Sequence, residues 1–131
     1  MDFALYNTTL AAAAAMAALM LVQLLVADII GIRRKHEPGT PVPASHDDVL
    51  FRTTRAVGNT NESIAIFILL VVLAMFSGAS PQLTAIASWV YVLGRMAYTL
   101  CYYFDIRIMR SVFFGVALLA LVALLVIAVF F

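Results

Sequence analysis

Four apolar stretches, separated by three short polar breaks, occupy almost the whole chain. They run from about residue 4 to 32, 48 to 76, 82 to 104 and 109 to 131, as judged from runs of apolar side chains. A helix needs about 20 apolar residues to cross a hydrocarbon core of ~30 Å, and each stretch is long enough. In lipid every backbone N–H and C=O must find its partner within the segment or a closed barrel, and runs of this length satisfy that as helices. With 131 residues there is no room for a separate soluble domain. The expected architecture is all-α, a single integral membrane domain over residues 1–131 built as a four-helix transmembrane bundle.

Composition points the same way. Hydrophobic residues make up 65% of the chain and charged ones 11%, whereas soluble domains carry about 25% charged residues. Eight Lys and Arg against seven Asp and Glu leave no excess for binding a polyanion, so nucleic acid is excluded as a partner. The single cysteine, Cys101, excludes an intrachain disulfide and reads as a small buried residue of an apolar helix. Asp2 replaces the basic start of a cleavable signal, and the run that follows is longer than a signal's apolar region. It is expected to stay as the first span.

The breaks carry their own chemistry. Pro38, Gly39, Pro41 and Pro43 mark a loop after the first helix. Asp47 or Asp48 is a suitable N-cap for the second, and Ser80-Pro81 suits the first turn of the third. A polar link, Asp105 to Arg110, is expected before the last helix. The Ala11–Ala15 run and Ala17-Ala18 offer small surfaces for close helix packing. Arg33, Arg34, Lys35, Arg52 and Arg55 flank the first connection, and Arg107 and Arg110 the third. The positive-inside rule then puts both connections in the cytoplasm and both termini opposite.

Polar side chains within spans are costly and need a reason. Arg52, Arg55, Asn59 and Glu62 fall within a sector of about 80° on the second helix. Arg95, Tyr98 and Tyr102 share a face of about 60° on the third. Arg110 and Ser111 open the fourth helix at the same level. Convergence of these residues would make a half-buried, cation-rich pocket suited to a ligand with carboxylates and an ammonium group. A plainer reading stays open: interfacial arginines with their heads in water, Glu62 neutralising Arg95, and tyrosines in an aromatic belt. Asp28 is placed to pair with Arg95 or Arg110, and Gln23 to bond between helices. His36 and His46 lie in the first loop without partners at metal-ligand spacing.

The pattern Arg52-x-x-Arg55-Ala56-x-Gly58-Asn59-x-x-Glu62, then Gly94-Arg95-x-x-Tyr98-x-x-x-Tyr102, then Arg110-Ser111, resembles MAPEG. These are the membrane-associated proteins of eicosanoid and glutathione metabolism. The short chain and compact first loop resemble a bacterial microsomal-glutathione-transferase-like member. The resemblance implies a homotrimer, with glutathione as thiol co-substrate held between neighbouring subunits. It implies that Arg55, Asn59 and Glu62 hold the glutathione backbone, assisted by Arg52, with Tyr98 and Tyr102 flanking it above Arg95. Arg110 matches the arginine that stabilises the thiolate, with Ser111 beside it, and Arg33 or Arg34 would reach the ligand of the adjacent subunit. Val57 stands where some members have His or Gln, and Phe114 where the prostaglandin synthase type has tyrosine.

The implied activity is transfer of glutathione to hydrophobic electrophiles, or reduction of lipid hydroperoxides, in a multi-pass protein of the bacterial inner membrane. The implied partners are a second and third copy of the chain, membrane lipid and an apolar small molecule. The alternative within the same fold is a non-catalytic lipid-binding protein. A four-helix drug exporter is disfavoured, because Asp28 sits too near the cytoplasmic end of its span.

Overall fold

The computed structural model describes residues 3–131. Asp2, invoked above against a signal peptide, lies outside the described residues. A short 3-10 turn, Phe3–Tyr6, leads into α1 (Asn7–Arg33), followed by α2 (Val49–Ser77), α3 (Pro81–Tyr103) and α4 (Arg107–Phe130). There is no strand among the described residues.

The helix ends follow from local chemistry. Asp48, rather than Asp47, caps α2, its carboxylate accepting from the Leu50 N–H at 2.9 Å. Gly78 closes α2 at φ 71°, a left-handed conformation that suits glycine. Ser80 then caps α3, with Pro81 in its first turn, where no N–H is needed. The start of α4 departs from the expected link. The break is only residues 104–106, with Asp105 at φ 55° and Ile106 at ψ 88°, and the chain is helical again from Arg107. Arg110 thus stands in the first turn of α4, where it was expected to open that helix, and the link before it is shorter than the polar segment suggested. Side-chain polarity does not break a helix; a left-handed backbone residue does.

α1 packs against α2 and α3, and α4 packs against the same two. The closest approach is between α3 and α4, where a Cβ on Gly94 would lie 3.3 Å from the Ala117 nitrogen. A small residue at this crossing lets the two backbones approach, as in other membrane bundles. Three helical segments, Phe3–Arg33, Val49–Ser77 and Arg107–Phe130, are long and apolar enough to cross a membrane. The 23 residues of α3 reach about 35 Å at about 1.5 Å each, enough for a fourth span. Its lower hydropathy has a structural cause. Thr84, Ser88, Arg95 and Thr99 are all buried, while Leu83, Ile86, Val90, Leu93 and Leu100 form an exposed apolar stripe. The polarity of α3 is turned inward and its oil outward, the arrangement a lipid solvent selects.

The two ends of the bundle are closed differently. At one end the Tyr6 hydroxyl donates to the Ala79 carbonyl, Trp89 Nε1 donates to the Thr8 carbonyl at 3.1 Å, and the Ser80 N–H donates to the Phe131 carbonyl at 3.1 Å. Both chain ends are thus tied to the α2–α3 turn. At the other end the loop 34–48 lies beside the start of α4, with Asp47 3.7 Å from Arg107. The polar side chains of the expected site lie toward this second end.

Candidate functional site

Arg95 is the organising residue. It is 1% exposed, and its Nη2 donates to Thr60 Oγ1 at 3.2 Å. Gln23 of α1 donates from Nε2 to the same Thr60 oxygen at 3.0 Å and to Thr99 Oγ1 at 2.6 Å. Thr99 in turn donates to the Arg95 carbonyl at 2.8 Å. Three helices are therefore joined through one guanidinium, one amide and two hydroxyls. Gln23 does bond between helices, as its position suggested.

From Arg95 a ladder of rings leads to α4. The Arg95 guanidinium lies 4.6 Å from the Tyr98 ring centre, Tyr98 and Tyr102 meet edge to face at 5.1 Å, and the Arg110 guanidinium lies 4.6 Å from the Tyr102 ring. Two cations thus bracket a tyrosine pair, with each cation over a π-face. Asn59 joins the ladder by donating from Nδ2 to the Tyr102 hydroxyl at 3.3 Å and to the Arg55 carbonyl at 2.9 Å.

A cavity of about 170 Å³ opens beside this ladder between α2, α3 and α4. Asn59, Glu62, Ser63, Tyr91 and Arg95 form its polar side, and Phe114 belongs to its apolar wall. The Ser63 and Tyr91 hydroxyls are 2.7 Å apart. Arg95 takes part in no ion pair among the described residues, and its buried Nε has no partner there. A buried cation without a carboxylate beside it is costly unless an anion completes it. Glu62 shares the cavity and acts on Arg95 through its charge, but the two form no ion pair at contact distance, so both readings of Glu62 stay open.

The other expected residues are not drawn into the ladder. Arg52 reaches back to the loop, its Nη1 donating to the His46 carbonyl at 2.6 Å. Arg55, Glu62 and Ser111 are exposed on the outer face of the bundle. Arg33 is exposed, and Arg34 lies 3.9 Å from Asp48. Asp28 pairs with neither Arg95 nor Arg110 and instead lines a cavity beneath the first loop with His36.

Sequence reasoning weighed His46 only as a metal ligand and missed its contact with Arg110. Its Nδ1 lies 3.3 Å from Arg110 Nη1, and its ring is 6.4 Å from Tyr102 and 5.1 Å from Phe51. No periodicity signals this contact, because a proline-rich loop has none. Tyr91 was also missed, and there a signal existed. It lies one turn before Arg95 on the face shared by Tyr98 and Tyr102.

The sequence model of the MAPEG family matches residues 9–130. The chain belongs to the MAPEG family. Among curated proteins no significant match is found. Membership fixes the setting of this MAPEG site: a membrane helical bundle, with three of its helical segments long and apolar enough to span the bilayer. The family contains glutathione transferases and peroxidases as well as non-catalytic members, so function is argued from the MAPEG site itself.

Proposed function

We propose that this protein is a membrane-bound glutathione transferase or peroxidase, acting on apolar electrophiles or lipid hydroperoxides. The observation that carries this reading is Arg95, a buried cation with no carboxylate in ion-pair contact, facing a cavity shared with Asn59 and Glu62. A tripeptide with two carboxylates and one ammonium group complements that set: arginines for the carboxylates, Glu62 for the amine. The cavity of about 170 Å³ is smaller than the roughly 300–1,000 Å³ of small-molecule sites. Glu62 is exposed at its edge and Arg55 is exposed earlier on the same helix, which supports a site completed by a neighbouring subunit of a homotrimer. In this assembly Arg33 or Arg34 reaches the neighbour's ligand, and Arg52 acts through the loop.

The chemistry asked of Arg110 is modest. A free thiol of pKa about 8.5 is only slightly ionised at neutral pH, and lowering it by about two units requires roughly 2.7 kcal/mol. One guanidinium about 4 Å away supplies up to about 4 kcal/mol at an effective dielectric near 20. Arg110 is sufficient without a separate base, and exposed Ser111 stands next to it for a further hydrogen bond. In transfer, a sulfur–carbon bond forms, the carbon–halogen bond breaks and halide departs with the electron pair. In peroxide reduction, two thiols give a disulfide while the hydroperoxide gives an alcohol and water. Dissolution of the apolar substrate in the bilayer concentrates it beside the site.

The positive-inside pattern supports a cytoplasmic first and third connection, and on this reading the site opens toward the cytoplasm from a bacterial inner membrane. A second reading, a non-catalytic lipid-binding protein, is favoured by one observation. An apolar groove of about 390 Å³ runs between α3 and α4 past Leu83, Val90, Val116 and Leu119. Calorimetry of glutathione binding to the detergent-solubilised protein decides between the two. Binding in the micromolar to millimolar range that weakens at least about tenfold in Arg55→Ala, about 1.4 kcal/mol, is expected. No binding by folded wild type means the lipid-binding reading holds instead.

A further inference from the structure

The first loop ends in a tight turn, closed by the Asp48 N–H donating to the Ser45 carbonyl at 3.1 Å. His46 stands in this turn, and it is held from three sides. On the α2 side the Phe51 ring meets its imidazole edge to face, and Arg52 donates to its carbonyl at 2.6 Å. On the α3 side the Tyr102 ring stacks at 6.4 Å. On the α4 side Arg110 Nη1 approaches Nδ1 at 3.3 Å. The acidic neighbours in the turn face elsewhere, Asp47 toward Arg107 at 3.7 Å and Asp48 toward Arg34 at 3.9 Å. His36, the other loop histidine, is engaged by its own loop through the Thr40 carbonyl at 3.1 Å.

A guanidinium has donors only. The contact with Arg110 is therefore a hydrogen bond only when Nδ1 of His46 carries no proton, which requires a neutral imidazole with its proton on Nε2. An imidazolium at the same place would oppose two guanidinium groups, Arg110 on its ring side and Arg52 at its carbonyl. The arginine at the start of α4 is thus held over Tyr102 by a ring on one face and an acceptor at one edge, and only the ring belongs to α3. Deep in the bundle, Arg95 is fixed by burial. Near the surface, half-buried Arg110 has no such confinement, so the loop acceptor decides where its charge points.

We infer that His46 is a positioning residue for Arg110, docking the first loop onto the site and aiming the guanidinium at the thiol. This rests on the glutathione reading for its catalytic consequence, but the contact itself is testable without it. Nitrogen-15 NMR of histidine-labelled protein in detergent micelles at neutral pH is expected to show His46 with an unprotonated, hydrogen-bonded Nδ1. That resonance shifts in Arg110→Gln, while the His36 signal, assigned through His36→Gln, stays. A His46 resonance indifferent to Arg110→Gln overturns the inference.

The second experiment measures conjugation of glutathione to chlorodinitrobenzene. His46→Leu is expected to lower kcat about tenfold at neutral pH with KM for glutathione changed by less than about twofold. The loss should shrink at alkaline pH, where the thiol ionises without help from a well-aimed cation. His46→Gln, whose side-chain oxygen restores an acceptor, keeps at least about half the wild-type rate. Equal losses in the Leu and Gln variants at every pH would indicate a purely structural loop residue and overturn the inference. If wild type turns over no glutathione, the functional reading falls, and the NMR result still decides whether His46 positions Arg110.

Discussion

The end of the bundle that carries the chain termini and the end that carries the first loop are built on different principles. Toward the termini the interior is mainly apolar: Ala12, Met16, Phe67, Leu121 and Leu124 are buried together, with Thr9, Thr84 and Ser88 among them as small polar groups, and Phe67 stacks on Tyr91 at 4.5 Å. Toward the loop the interior is a polar lattice of Gln23, Thr60, Thr99, Arg95, Tyr98, Tyr102 and Arg110. In lipid the first kind of contact is held by close packing, since leaving the bundle exposes these side chains to hydrocarbon and not to water. The second is held by directional bonds whose loss leaves polar groups unpaired. The difference teaches that the bundle is fastened by shape at one end and given its chemistry at the other.

Three substitutions sharpen that contrast. The largest effect is expected from Phe67→Ala, which opens a cavity in the packed half. It should cost about 3 kcal/mol in unfolding free energy, measured by denaturation in detergent, and leave glutathione affinity within about twofold. A small stability loss there would break the contrast. Next comes Arg95→Met, in the polar half. Replacing a buried cation that lacks a contact ion pair should leave unfolding stability unchanged or raise it by about 1 kcal/mol. Glutathione affinity should fall at least about a hundredfold, near 2.7 kcal/mol, by calorimetry. The smallest effect is expected from Gln23→Leu, which removes two interhelical hydrogen bonds and should cost about 1 kcal/mol in the same denaturation assay. A loss as large as that of Phe67→Ala would mean that the polar lattice fastens the bundle as firmly as the packed end.

Fold and site were legible to different depths. The apolar runs located four helices, and Asp48, Gly78 and Ser80-Pro81 mark ends whose causes are local. The start of α4 was less legible, because a polar segment suggested a longer link where only residues 104–106 leave the helical path. On α3 the stripe of Arg95, Tyr98 and Tyr102 lies on one buried face, since a fixed rotation per residue is a property of the helix itself. On α2 the same rule grouped Arg52, Arg55, Asn59 and Glu62, yet only Asn59 of these is buried. Periodicity names a shared face; it does not say how far around that face a neighbouring helix reaches.

The sequence by itself determined the solvent, the helices, their caps and the faces that polar residues share, because each depends on side chains a few positions apart. The tertiary structure decided which of those faces meet. It left Arg95 without a contact ion pair, turned Arg52 back to the loop, and brought His46 against Arg110 across a separation of 64 residues. Such contacts depend on the depth and rotation at which whole helices settle against one another. That is set by long-range packing, as where Gly94 admits the backbone of Ala117, and short-range pattern carries no record of it.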